Sequence, residues 1–247
     1  STSVEYRVDN GDWIVATAVD GTFDELSEDF AFTMAELDDG EHLVQVRAAD
    51  AAENVSPLAS HAFTVDATPP SLTLNPFPDY TNDPTPDFSG TATDTLSPIT
   101  SVQYRIDSGA WMPATAVDGT FDEPTEEYNL TATTLADGAH TLQVRAWDAL
   151  GNTTTTPADY ATATFTVDTT LPSVAFTTLS PDPTNDNTPT LIGTATDATS
   201  PITSVEYRVD NGDWIAATAV DGTFEELSED FAFTMAELDA GEHLVEV

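Results

Sequence analysis

The chain has 247 residues and carries 44 Asp and Glu against 5 basic residues, all of them Arg, for a formal net charge of −39; it contains no Lys and no Cys. That composition excludes disulfides, thiolate nucleophiles, Cys-type zinc sites, Schiff bases and Lys-to-Asn isopeptide cross-links, and five dispersed arginines form no basic stripe that could neutralise the phosphates of a nucleic acid. With 40% hydrophobic residues the chain can still build cores, while its apolar runs fall short of the ~18 residues of a membrane span and no signal-peptide pattern opens it.

In chain order the first recognisable element, SVEYRVDNGDW at Ser3–Trp13, announces a repeat. It returns as SVQYRIDSGAW at Ser101–Trp111 and as SVEYRVDNGDW at Ser204–Trp214. Around these anchors the chain divides into a partial unit at 1–66, a complete unit at 67–168 and a second partial unit at 169–247. In the first unit, Asp9-Asn10-Gly11 signals a hairpin turn, and Met34-Ala35-Glu36-Leu37 is the only plausible helical turn of the chain. In the middle unit, strands are predicted at Ser71–Asn75, Phe88–Thr93, Ser101–Asp107, Trp111–Thr115, Tyr128–Thr133, His140–Trp147 and Tyr160–Val167. Ser101–Asp107 alternates Val102, Tyr104 and Ile106 with Gln103 and Arg105, the period of a half-buried strand. His140–Trp147 alternates likewise, and Asp118-Gly119 and Asp137-Gly138 mark further turns. About seven short strands in about 100 residues describe an all-β chain of immunoglobulin-type sandwiches.

Residues 3–46 and 204–247 differ only at Val15/Ala216, Asp24/Glu225, Asp39/Ala240 and Gln45/Glu246, so the true repeat is a two-unit block. The first unit lacks the two strands that correspond to Leu72 and Phe88, and the third lacks its last strand. Two accounts stand side by side: a window on a longer covalent array, or incomplete ends completed by strands of neighbouring copies. Either way the expected partners are further copies of the same repeat, and neither end is expected to be stable alone.

Thr-Asn-Asp-x-Thr-Pro (Thr81–Pro86, Thr184–Pro189), Gly-Thr-Ala-Thr-Asp (Gly90–Asp94, Gly193–Asp197), Arg-Ala-x-Asp-Ala-x-x-Asn (Arg47–Asn54, Arg145–Asn152) and Val-Asp-x-Thr (Val65–Thr68, Val167–Thr170) resemble the bacterial Ig-like domains strung in tandem through large surface adhesins. The resemblance covers essentially the whole chain. It implies an extended rod of sandwiches at the cell surface or outside the cell, with calcium held where consecutive domains meet.

The candidate Ca²⁺ ligands are Asp50, Asn54, Asp66, Asp83, Asp94, Asp148, Asn152, Asp168, Asp186 and Asp197. They recur near strand ends, and Ca²⁺ takes six to eight hard oxygen ligands from such carboxylates, amides and carbonyls. The same residues also suit plain turn formation. The acidic stretch Asp118, Asp122, Glu123, Glu126 and Glu127 recurs in each unit without EF-hand spacing and reads as a solvated negative loop. His42, His140 and His243 fall on the inward parity and read as satisfied structural residues. Every Arg is a recurrent outward strand residue, expected to pair across strands with Asp or Glu. Trp147 replaces Ala49 on an outward position and could be a sugar-stacking platform.

No nucleophile, metal-paired His or enclosed carboxylate pair marks an enzyme. The expected function is a structural segment of an extracellular filament or adhesin stalk. The alternative is an array of carbohydrate-binding modules contacting surface glycans. The charge supports the first, because it divides as −13, −12 and −14 over the three units and so belongs to the repeat.

Overall fold

The alternating segments become strands because each places β-branched or aromatic side chains on one face and polar ones on the other. The computed structural model describes residues 3–154, 156, 158–177 and 182–247, and these contain strands and turns but no helix. The first unit contributes β1 (Ser3–Val8), β2 (Ile14–Val15), β3 (Thr17–Ala18), β4 (Phe30–Ala31), β5 (Gly40–Ala49) and β6 (Ala59–Val65). The middle unit contributes β7 (Ser71–Leu74), β8 (Tyr80–Thr81), β9 (Asp87–Thr93), β10 (Ile99–Ile106), β11 (Met112–Pro113), β12 (Thr115–Ala116), β13 (Thr125–Thr131), β14 (Gly138–Asp148) and β15 (Ala161–Val167). The third contributes β16 (Ser173–Phe176), β17 (Thr190–Thr196), β18 (Glu206–Val209), β19 (Ile215–Ala216), β20 (Thr218–Ala219), β21 (Ser228–Thr234) and β22 (Val245–Glu246).

The middle unit is a sandwich of two sheets, ordered β11-β10-β14-β15-β8 and β12-β13-β9-β7. All pairings are antiparallel except β15 with β8. Between the sheets lie Phe88, Ile99, Val102, Tyr104, Tyr128, Leu130, Leu142, Val144 and Phe165, all buried. Tyr128 is fully buried, and its hydroxyl donates to the Thr73 carbonyl at 2.8 Å, directly over Gly90, where a Cβ would collide with both groups. The predicted strand over Trp111–Thr115 is instead two dyads in different sheets. Pro113 ends pairing with β10 and Thr115 begins pairing with β13, with the Ala114 amide bonded to Val102 O at 2.9 Å between them.

Three further expectations are corrected. Met34–Leu37 forms no helical turn; in the third unit the matching segment is held extended by Met235 N to Pro189 O and Leu238 N to Asn187 O. The hairpin after β1 is centred on Asp9-Asn10, with φ of 51° and 60°, one residue before the Asn-Gly pair. Asp9 is fixed there because its carboxylate accepts from Leu43 N and meets His42 Nδ1. The acidic stretch is only partly a solvated loop: Glu126 is buried in β13, where its Oε1 accepts from Asp122 N and Glu123 N at 2.7 Å each, and Glu229 does the same in the third unit.

The histidines are structural, as their parity suggests. His140 Nδ1 meets Asp107 Oδ2 at 2.9 Å and Nε2 meets the Ala136 carbonyl at 2.9 Å, and His42 and His243 repeat both contacts. Both ring nitrogens face acceptors, an arrangement that favours the protonated imidazole, in which both donate. For His140, burial opposes the charge, but the Ala136 carbonyl and the Asp107 carboxylate outweigh it and raise its pKa.

The first and third units carry the same segment with different strand partners. In the third unit β17 pairs with β21, and Phe231, Phe233 and Met235 are buried. In the first unit the identical Phe30 is 41% exposed, and β4 has only the two-residue partner β3. Amide hydrogen exchange should therefore be faster over residues 28–34 than over 229–235; equal protection would contradict the packing described. For His140, whose folded pKa is raised above the unfolded value, the stabilisation is complete below about pH 6.5 and is lost as pH rises through the folded pKa. The melting temperature gap between the wild-type chain and His140→Gln should shrink as pH rises above about 6.5.

Candidate metal centre

The middle sandwich gathers its acids at one pole because β9 and β14 end there, and the linker from the first unit enters at the same point. Asp94 follows β9, Asp148 closes β14, and Asp66 follows β6. One carboxylate oxygen from each lies within 4.8 Å of the other two. Asp94 and Asp148 are buried and Asp66 is half-buried. This is the only such three-acid group among the described residues.

Each carboxylate is aimed by hydrogen bonds that the local sequence dictates. Asp94 Oδ1 accepts from Leu96 N and Ser97 N at 2.9 Å each, an Asx turn that leaves the second oxygen to the cluster. Asp148 Oδ1 accepts from Leu150 N and Asn152 N at 2.8 Å each. Burial raises the Asp148 pKa, but the Asn152 side chain and amide and the Leu150 amide more than offset it, so the group is held ionised. Ser97 Oγ donates to Asp66 Oδ2 and lies 3.2 Å from Asp148 Oδ2. Asn152 Nδ2 donates to the Asp66 carbonyl at 3.0 Å and to Asp148 Oδ2 at 2.7 Å. Asn152 thus fixes two of the three acids in position.

Asp168 and Asp197 build the matching pole of the third unit. They stand within hydrogen-bonding reach, Asp197 Oδ1 accepts from Thr199 N and Ser200 N, and the backbone amides of Ser200 and Thr199 lower the Asp197 pKa. Asp197 Oδ2 is buried with no hydrogen-bond partner among the described residues.

The other candidates do not join these groups. Asp50 and Asn54 reproduce the Asp148–Asn152 loop in the first unit, with Asn54 Nδ2 on Asp50 Oδ2 at 2.9 Å, but both are exposed. Asp83 lies at the opposite pole of the middle unit, beside the exit of β15, and its Oδ1 accepts from Thr85 N and Oγ1. Asp186 makes the same turn with Thr188. These two serve as turn formers.

Two contributors are invisible to ligand spacing alone. Ser97 recurs as Ser200 in the motif Ser-Pro-Ile-Thr-Ser-Val (Ser97–Val102, Ser200–Val205), and that recurrence is the signal that could have found it. Asp39 accepts from Ala67 N and Thr68 Oγ1, and Asp137 accepts from Thr169 N and from the hydroxyls of Thr169 and Thr170, so each fastens the linker that leaves its own unit. Their signal is the recurring Asp before Gly40 and Gly138; the third unit has Ala240 instead.

The donor set is hard oxygen throughout, with no His or Cys in it. Buried acids in contact, and the bare Asp197 oxygen, fit a divalent cation of the calcium type better than zinc or a transition metal. Asp66, Asp94 and Asp148, with Ser97 Oγ beside them, are the residues that would hold it.

Residues 78–169 match the family model described as a bacterial Ig-like domain. No curated protein matches the chain. Among solved structures it is similar to the fibronectin(III)-like modules of Clostridium thermocellum CbhA, at 17% identity over 67% of this chain and 77% of that one, with a TM-score of 0.32. It is also similar to dimeric latent PorU from Porphyromonas gingivalis, at 16% identity over 99% of this chain and 26% of that one, with a TM-score of 0.33. The family match and the two facing sheets make the middle unit an Ig-like β-sandwich, and the described residues are all-β.

Removing the Asn152 amide takes away donors to two half-buried or buried acceptors at once. Asn152→Ala should lower stability by about 1–3 kcal/mol in urea denaturation, and Asn54→Ala, at the exposed counterpart, by clearly less. Equal effects would mean that the bond to Asp66 contributes nothing.

Proposed function

We propose that the chain is a structural segment of an extracellular or cell-surface protein, a row of Ig-like sandwiches whose junctions are stiffened by bound calcium. The observation that carries this reading is the convergence of Asp66 with Asp94 and Asp148. Asp66 belongs to the linker and the other two to the next sandwich, so a cation shared by all three ties the linker to that sandwich. When bound, the ion supplies positive charge and ligand geometry, and the protein's own residues do the rest. Asp39 holds the start of the linker, Asn152 holds the Asp66 backbone, and Ser97 holds its side chain.

The role is mechanical and not catalytic. Antiparallel sandwiches resist extension through their ladders, limited hinge motion keeps consecutive units in line, and evenly spread negative charge discourages collapse of one unit on another. Bacterial Ig-like domains are commonly extracellular, which suits a chain that lacks cysteine and presents acids to cation-rich surroundings. None of the described helices, there being none, could cross a membrane. Further copies of the same repeat are the natural neighbours in such an assembly.

Thermal melting in calcium and in chelator tests the reading. Calcium should raise the transition of the middle unit, by about 3 kcal/mol at a free concentration one hundred times the dissociation constant. Asp94→Asn keeps an oxygen for the Leu96 and Ser97 amides while removing one charge. It should therefore match or exceed the wild type in chelator and lose most of the calcium-dependent gain. A transition that ignores calcium would overturn the proposal.

A further inference from the structure

The five arginines all lie on one kind of surface, the outward face of the sheet built from β1 and β5 or its repeats, and there they stack against tryptophan. In the first unit, the Arg7 and Arg47 guanidinium carbons stand 4.7 Å and 4.0 Å from the Trp13 ring centre. In the middle unit, Arg105 and Arg145 stand 4.7 Å and 4.1 Å from Trp111, and Arg145 stands also 4.5 Å from Trp147. The result is a column that runs Trp147, Arg145, Trp111, Arg105, one rung longer than in the first unit, where Ala49 occupies the place of Trp147.

Arg7 donates through Nε to the Gln45 amide oxygen at 2.8 Å, as Arg105 does to Gln143, so the middle unit differs from the first at the other arginine of the pair. In the first unit Arg47 forms an ion pair with Glu5 at 2.8 Å, and in the third Arg208 pairs with Glu246 at 2.7 Å. In the middle unit the position of Glu5 is Gln103. Arg145 donates through Nε and Nη2 to the Gln103 amide oxygen, at 3.2 Å and 2.7 Å, and Arg105 donates through Nε to the Gln143 amide oxygen at 2.8 Å. Neither arginine enters an ion pair among the described residues. The local sequence extends the contrast: 99–106, 139–147 and 160–167, which make up most of this sheet, contain no Asp or Glu in a chain that has 44. Those segments leave this face without a carboxylate and with two guanidinium groups standing over its indole rings.

We propose that this face binds an acidic polysaccharide, one that carries uronic-acid carboxylates along its chain. The carboxylate requirement is argued from the repeat itself. The neighbouring unit meets the same guanidinium, through Nε and Nη2, with a carboxylate oxygen of Glu5, whereas Gln103 meets it with a neutral amide oxygen, so the charge of Arg145 is left uncompensated and its remaining N–H donors are available to an outside acid. The sugar requirement comes from the added rung. Trp147 widens the column where the first unit has only a methyl group, giving the axial C–H face of a pyranose ring a flat aromatic surface beside the charge. The exposed hydroxyls of Thr162 and Thr164 on the adjoining strand suit a hydroxyl-rich, extended polymer lying along the sheet. The inference stands apart from calcium at the junction and survives its failure.

The test is isothermal titration of the full chain with a galacturonic acid oligosaccharide and, separately, with its neutral methyl ester. Both are run in chelator, so that calcium cannot bridge protein and sugar, and at about 0.15 M salt, where the Debye length is about 8 Å. Gln103→Glu supplies the internal carboxylate and Trp147→Ala removes the extra rung; each installs the residue that the first unit carries natively, so the fold is preserved. Saturable binding of the acid oligosaccharide is expected, about tenfold weaker or more in each variant and with the neutral ester. Absence of binding to the acid form, equal binding by Gln103→Glu, or equal binding of the ester would overturn the proposal. Sedimentation in which the wild type self-associates and Gln103→Glu does not would overturn it in favour of a second copy.

Discussion

Three carboxylates with oxygens inside a 4.8 Å sphere set the terms for the rest of this molecule. Like charges about 4 Å apart repel by several kcal/mol at the effective dielectric of a protein surface, and here they stand within a chain of net charge −39. The fold holds them together through neutral donors. Backbone amides face Asp94 and Asp148, and Ser97 and Asn152 reach across to Asp66. Under the proposed function a bound cation would offset this repulsion and tie the linker to the sandwich.

The same balance of charge recurs elsewhere in the repeat at smaller scale. Each unit keeps a histidine between an aspartate and a carbonyl, and stacks its arginines on tryptophan on the outer face of one sheet. Positive charge is scarce, and each cation is embedded in a fixed contact. In the middle unit both guanidinium groups meet only amide oxygens and rings, as Arg7 does in the first, whereas Arg47 and Arg208 each meet a glutamate.

Strand positions and facing were legible in the sequence because period-two alternation reports burial directly. Val102, Tyr104, Leu142 and Val144 fall inside, as their parity requires. Less was legible where tertiary contacts decide. The Asp9-Asn10 turn is set by bonds from a strand over thirty residues away, and the burial of Glu126 follows from the amides it caps, which composition does not reveal. At the candidate site, recurrence picked out Asp66, Asp94, Asp148, Asp168 and Asp197 but grouped Asp83 and Asp186 with them, since an Asx turn and a metal ligand use the same residue type. Identical sequence also gave different burial: Phe30 and Phe231 share their neighbours in sequence, but Phe30 is paired on one side, by β3, and Phe231 on both, by β20 and β17. Local pattern specifies the strand, and the partner strand specifies whether its apolar face is a core.

The most direct test is a crystal structure of the chain grown in calcium, with anomalous scattering used to locate the ion. The account predicts a peak between Asp66, Asp94 and Asp148 with oxygen ligands at about 2.3–2.6 Å. Saturating calcium with the three carboxylates turned apart and only water between them would contradict it.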